Sequence, residues 1–356
     1  MKPTMMTYIH EEQATLAHIL DNYPHNVPAI DDDSEWLVLA TGSSVNAAVS
    51  AKYYVESLSA VRVNIAEPFH YQHFEKHNPA VSTVIAVSQS GESTSTLHAL
   101  AALKKQYPVS TLGITSKPQS ELAKTADRFV LLDIGEERVG YVTKGYVATI
   151  LTLMLVGLRH ARAVNAIDDA REQQELALLR QAVNAIPAII DNTESFFTRW
   201  QDDLASSPRF TSIGYGPAIG VCMEMATKFT ETVRVPSQGI EMEVFMHGPY
   251  FEINPQHRLF FLDVPSVARE RLVLLRQYEQ RHTAHVYTVT PGHSDDSHTL
   301  ALGVELPETI LPLLMIIPFQ ILAHHIAEAK GNNLPQRIFT DFGVAVKSKT
   351  KPGDYA

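Results

Sequence analysis

Residues 83–106 read TVIAVSQSGESTSTLHALAALKKQ, and the order of residue types in that stretch decides the fold class. The β-branched run from Thr83 to Val87 suits a buried strand, and Ser88-Gln89-Ser90-Gly91-Glu92-Ser93 suits a turn. Thr94 to Gln106 then carries the apolar spacing of a helix. A strand that passes to a helix through such a turn is the unit from which parallel sheets are built.

The same grammar extends in both directions. Upstream, Trp36 to Ala40 (WLVLA) reads as a strand that stops at Thr41-Gly42-Ser43-Ser44 and gives way to a helix through about Ser57. Before it, the spacing of Ile9, Leu16, Ile19 and Leu20 predicts an amphipathic helix from Met5 to about Asn22. Downstream, strands are expected at Val109 to Thr115 and Arg128 to Ile134, followed by a long apolar helix from Thr143 to His160. Charge rises between Asn165 and Glu175, which marks a boundary leading into a helical connection from Leu176 to Ala205. The pattern then restarts, with Phe210 to Ile213 as a strand, Gly214-Tyr215-Gly216-Pro217 as a turn, and a helix carrying Glu224, Lys228 and Glu231. The expected organisation is an N-terminal helix (1–30), a first α/β lobe (31–165), a helical connection (166–205), a second lobe (206–330) and a C-terminal tail (331–356). Identity between the halves is too low to establish a repeat.

Composition narrows the function. A chain of 356 residues with 45% hydrophobic content is long enough for about two domains. A formal net charge of −10 argues against a general nucleic-acid binder or a binder of anionic membranes, both of which need an extended basic surface. Cys222 is the only cysteine, so neither an intrachain disulfide nor a thiol-rich zinc site is expected. Met1 to Leu20 has no secretory pattern, and a cytoplasmic protein is expected. The apolar runs Val147 to Leu158 and Ile310 to Leu322 fall short of the ~18 residues of a membrane span and are read as buried helices.

In an open parallel sheet the carboxyl ends of the strands face the binding crevice, where helix N-termini present unpaired N–H groups. Two successive turns there, Thr41 to Ser44 and Ser88 to Ser93, supply hydroxyls, while Gly42 and Gly91 allow close backbone approach. This pattern favours a phosphate site over a pair of ordinary capped helices. Neither turn has the Walker lysine, and Gly214-x-Gly216-x-x-x-Gly220 is one residue too long for the dinucleotide fingerprint, so no nucleotide cofactor is expected. Glu224, Lys228 and Glu231 share one helix face, either as a solvated salt-bridged stripe or as functional groups. His247, between Met246 and Gly248-Pro249, is a loop histidine. His70, His73, His77, His324 and His325 lack the carboxylate pattern of a metal site, so no metal is expected, although His325 is a possible substrate contact.

Ser88 to Ser93 resembles the signature of the SIS (sugar isomerase) family, and nearly the whole chain is similar to the isomerase half of glucosamine-6-phosphate synthase. The resemblance implies two SIS lobes, each a parallel doubly wound, flavodoxin-like sheet flanked by helices. It assigns the phosphate to Ser43, Ser44, Ser88, Gln89, Ser90 and Ser93. The family's Ser-Thr-Lys near the sugar corresponds to Val142-Thr143-Lys144 here. Its catalytic glutamate, followed sixteen positions later by a histidine before Gly-Pro, matches Glu231 and His247, with Glu224 and Lys228 as further candidates on the same helix.

Departures from the synthase pattern refine the expectation. The chain begins Met-Lys-Pro-Thr, without the glutaminase nucleophile, so glutamine-dependent amidotransfer is not expected. The family's C-terminal lysine corresponds to Asp341 in Gln336-Arg337-Ile338-Phe339-Thr340-Asp341, while Lys347, Lys349 and Lys351 are out of register. A substrate that already carries an amine needs no such lysine, and the chain is most similar to fructosamine-6-phosphate deglycases. The expected reaction is hydrolysis of a fructosamine 6-phosphate, such as fructoselysine 6-phosphate, to glucose 6-phosphate and a free amino acid. Glucosamine-6-phosphate deamination, aldose-ketose isomerisation and a non-catalytic sugar-phosphate sensor are the alternatives. The resemblance also implies a homodimer whose subunits share the site, with His247 contributed by the neighbour.

Overall fold

The computed structural model describes residues 3–31, 35–138 and 140–350. The chain divides into two compact units, one of Ala14–Leu178 with Arg337–Ala356, the other of Met1–Gln13 with Leu179–Gln336. The helix α1 (Met5–Asp21) crosses the division, as does the later helix α7 (Asp169–Ser206).

The first unit follows α1 with β1 (Glu35–Leu39), α2 (Ser43–Leu58), β2 (Arg62–Ala66), α3 (Pro68–Phe74), β3 (Val81–Val87), α4 (Thr94–Gln106), β4 (Ser110–Thr115), α5 (Glu121–Thr125), β5 (Arg128–Leu131) and α6 (Lys144–Ala163). Its five strands are all parallel, in the order β2-β1-β3-β4-β5. Alternation along each strand buries both faces. Leu37, Leu39, Val84 and Ala86 pack with Leu97, Leu100 and Leu122 from α4 and α5. Trp36, Val38 and Ile85 meet Ala48, Ala51 and Val55 of α2 and Leu153 of α6 on the other face. Each fully buried leucine, isoleucine or valine among them contributes about 1.5–3 kcal/mol.

The second unit contains β6 (Phe210–Gly214), α8 (Ile219–Thr232), β7 (Ser237–Glu241), α9 (Met242–Met246), β8 (Arg258–Leu262), α10 (Arg269–Glu279), β9 (Val286–Thr290), β10 (Thr299–Ala301) and α11 (Pro312–Ala329). Its parallel sheet has the order β10-β9-β8-β6-β7, which is the topology of the first sheet repeated. The likeness that sequence identity could not establish is therefore present in the strand order. The tail carries one short helix, α12 (Phe342–Ala345).

Several sequence expectations shift. The edge pair β2 and α3 was not anticipated, because Arg62–Ala66 is half-polar and lies at the sheet edge. The last strand of the first sheet stops at Leu131, and the Ile134 N–H turns back to Leu132 O at 2.8 Å instead of continuing the ladder. The charged stretch expected as a boundary is the first turns of α7: Asp168 Oδ1 accepts the Arg171 N–H at 2.8 Å, and Arg171 pairs with Glu175 at 2.6 Å. The apolar run around Ile310 to Leu322 becomes an 18-residue helix, α11, long and apolar enough by composition to cross a membrane; 83% of it is buried inside the fold.

Candidate active site

In the first sheet the chain turns to opposite sides after β1 and after β3, and the crevice of a doubly wound sheet opens at that reversal. Both serine turns leave from it. Leu39 pairs with Ala86, so Thr41 to Ser44 and Ser88 to Ser93 emerge side by side at the carboxyl edge. The second turn is tightly built: Gly91 has φ +66° and its N–H donates to Ser88 O at 2.9 Å, while a Cβ there would lie 2.1 Å from Ser120 Oγ. Gln89 O accepts from both the N–H (2.9 Å) and the hydroxyl (2.8 Å) of Ser116, which pins the turn to the end of β4.

The hydroxyls are placed to donate. Ser43, Ser44, Ser90 and Ser93 are half-buried at the starts of α2 and α4, and Ser88 is buried. The Ser43 and Ser44 hydroxyls have no partner among the described residues. Neither α2 nor α4 receives a side-chain cap. Ser90 Oγ accepts the Glu92 N–H at 3.3 Å, a bond that does not use its own proton.

Sequence reasoning missed Glu137. Its carboxylate accepts from Gln89 Nε2 (2.9 Å), from the Thr143 N–H (2.7 Å) and from the Gly145 N–H (3.2 Å). It therefore sits on the positive end of α6 and fixes the Gln89 amide against that helix. Gly145 allows the approach, since a Cβ would lie 2.5 Å from Gln89 Nε2. Glu137 lies outside any capping spacing, so no local signal marked it. Thr143 is fully buried and its hydroxyl donates to Tyr141 O at 2.9 Å, and Lys144 is buried beside it.

In the second unit the face shared by Glu224, Lys228 and Glu231 is not a solvated stripe. Glu224 and Lys228 are 0% exposed and the Glu231 side chain is 38% exposed. Lys228 Nζ lies 3.6 Å from Glu224 Oε1 and 2.5 Å from Glu231 Oε2. A buried ammonium thus holds one oxygen of a carboxylate that still reaches solvent. His247 follows α9, which Glu241 caps by accepting the Val244 N–H at 2.9 Å. The imidazole is 77% exposed and lies 3.9 Å from Glu243, which Arg271 in turn holds at 2.5 Å. Glu231 and His247 make no contact with each other.

The second sheet has its own reversal, between β6 and β8. There the Tyr215 hydroxyl donates to Val264 O at 2.6 Å. Burial and then the Asp263 charge push that phenol up to about 12. Asp263 is paired with Arg269 (2.7 Å) and Arg276 (3.5 Å).

The histidine pair of α11 has the carboxylates that the sequence did not reveal. His324 Nε2 is 3.4 Å from Glu328, one turn on, and His325 Nε2 is 2.8 Å from Glu194 of α7. Ligand atoms of His324, His325 and Glu328 lie within 4.8 Å of one another. Burial pulls the His324 imidazole below its ordinary value. His325 stacks on Phe197 with centroids 4.9 Å apart, so its ring is held by packing as well as by Glu194.

Comparison with known proteins agrees with this geometry. The SIS domain family matches residues 30–159. The isomerizing glutamine–fructose-6-phosphate aminotransferase of Gloeobacter violaceus is 28% identical over 305 residues, covering 84% of this chain and 50% of that protein. The chain thus spans about half the length of the curated relatives it matches. Among solved structures, a phosphosugar isomerase so described from Clostridium difficile 630 superposes with a TM-score of 0.89 at 23% identity, covering 99% of this chain and 100% of that one. The C-terminal domain of glucosamine-fructose-6-phosphate aminotransferase from Francisella tularensis gives a TM-score of 0.86 at 20% identity, covering 93% and 96%. Residues 30–159, which carry both serine turns at the sheet reversal, thus match the SIS domain family, and the whole chain shares its two-sheet fold with these structures.

Proposed function

We propose that this protein is a sugar-phosphate enzyme that hydrolyses a fructosamine 6-phosphate to glucose 6-phosphate and a free amine. The observation that carries the reading is the half-exposed Glu231 carboxylate held on a buried lysine, with a solvent-facing imidazole sixteen residues further on. The serine turns supply neutral donors suited to a phosphate. Asp341, which stands where the synthase pattern has lysine, is exposed at the start of α12.

In this reading Glu231 takes a proton from C1 of the ketoamine while His247 protonates the C2 oxygen, giving an enaminol. Returning the proton to C2 leaves a C1 aldimine; water adds to it, and the amine departs with the aldehyde restored. Each positioned proton transfer is worth about 10²- to 10⁴-fold in rate. Because Glu231 and His247 do not meet, the second part of the proposal is that a homodimer completes the site with the partner's imidazole. Supporting this, Phe251 is 80% exposed and Val244 58% exposed on either side of His247.

The test is incubation with fructoselysine 6-phosphate, glucosamine 6-phosphate and fructose 6-phosphate, following glucose 6-phosphate, amine, ammonia and ketose. Glucose 6-phosphate with lysine from the first alone supports the deglycase; ammonia release or isomerisation transfers the assignment to those reactions. Turnover by Glu231→Gln at the wild-type rate would remove the base assignment. Mixing Glu231→Gln with His247→Asn subunits is expected to restore partial activity, and no restoration counts against the shared site.

A further inference from the structure

The tail returns to the serine crevice of its own unit and fastens there at two places. Arg337 Nη2 donates to Arg138 O at 3.1 Å. After Lys347, at φ 53°, residues 348–350 run antiparallel to the second serine turn. The Thr94 N–H donates to Ser348 O at 3.2 Å, Ser93 and Lys349 form an antiparallel bridge, and the Thr350 N–H donates to Glu92 O at 3.0 Å. The Thr350 hydroxyl also donates to the Glu92 carboxylate. This strap leaves Lys347 exposed but half-buries Lys349, whose Nζ lies 3.5 Å from Ser90 Oγ.

We infer that Lys349 is the charged member of the phosphate site, delivered by the tail, an inference that rests on the phosphate reading of these turns. The hydroxyls and amides there are neutral donors. Two carboxylates stand at the second serine turn: Glu137, bonded to Gln89, and the turn's own Glu92, bonded to Thr350 of the strap. A phosphate dianion at this turn gains from a cation within reach of the same hydroxyl that would donate to it. An ammonium acts there as a point charge and needs no fixed approach angle, which suits delivery on a short strap. Position 349 thereby has a role at the phosphate end, separate from the imine chemistry of the synthase-type lysine that Asp341 replaces.

Calorimetric titration of the full chain with glucose 6-phosphate, inorganic phosphate and unphosphorylated glucose tests this. Lys349→Met is expected to weaken glucose 6-phosphate binding by about tenfold or more and to flatten its salt dependence, leaving glucose unaffected. Lys349→Arg is expected to keep most of the affinity, and Lys347→Met all of it. Equal losses in Lys349→Met and Lys349→Arg would overturn the charge role and reduce the strap to structure. Wild-type affinity in Lys349→Met, with Ser90→Ala weakened, removes the lysine alone. A wild-type protein that binds neither phosphate compound removes the phosphate reading and this inference together.

Discussion

Lys228 Nζ stands 2.5 Å from Glu231 Oε2 and 3.6 Å from Glu224 Oε1, so one fully buried ammonium joins a buried carboxylate to a half-exposed one. The inner pair fixes the lysine, and the lysine fixes the proposed base. Desolvation makes such a triad sensitive to loss of any single member.

Lys228→Met is therefore expected to destabilise the protein by about 3–5 kcal/mol, because it takes the ion-pair partner from buried Glu224. The double variant Glu224→Gln/Lys228→Met should recover most of that loss. Urea unfolding of the three proteins measures both. Equal stability of the single and double variants would show that the inner pair is not the source.

The two glycines of the serine turns should respond unequally to alanine. Gly42 has φ +59° with nothing within 4 Å of a Cβ, so Gly42→Ala costs only backbone strain of about 1–3 kcal/mol. Gly91→Ala adds a clash at 2.1 Å with Ser120 Oγ and must displace the turn. Its glucose 6-phosphate affinity should fall further than that of Gly42→Ala in the same titration.

Glu279 is buried at the end of α10 with Oε1 unbonded, and burial pushes its carboxyl up to about 7. Between its ordinary 4.5 and about 7 the folded state binds more protons than the unfolded one, so this group lowers stability as pH rises. Glu279→Gln should match wild type at low pH and exceed it by about 1–3 kcal/mol at pH 8. Denaturation midpoints at the two pH values decide it.

His257 acts with the opposite sign. It is fully buried, bonded to Thr211 at 2.9 Å, and burial with Arg209 and Arg258 pulls it down to about 4. Between 6.5 and about 4 the unfolded chain binds the extra proton, so stability falls as pH drops. His257→Gln should shed that acid limb while losing about 1 kcal/mol at neutral pH from the Thr211 bond. An unchanged acid limb would place the sensitivity elsewhere.

Much of this architecture was legible because strands buried on both faces write continuous apolar runs. WLVLA and TVIAV announced β1 and β3, and Thr94–Gln106 is the observed α4 to the residue. The half-polar edge strand β2 carried no such run. The serine turns were legible because hydroxyls and glycine cluster in sequence. Glu137 and the approach of Lys349 were not, since each acts through contacts set by the path of the chain: Glu137 reaches Gln89 across 48 positions and Lys349 reaches Ser90 across 259. The burial of Lys228 was equally hidden, because i, i+4 spacing is the same on a wet face and a dry one.

The repeated strand order gives the molecule two equivalent mouths, and the Tyr215–Val264 hydrogen bond makes them unequal. In the second mouth the phenol donates to the backbone, and the single Asp263 carboxylate lies between two arginines. Under the proposed reading, the duplicated scaffold divides its labour, with the serine mouth as the phosphate receptor and the other half given over to its buried glutamate-lysine triad.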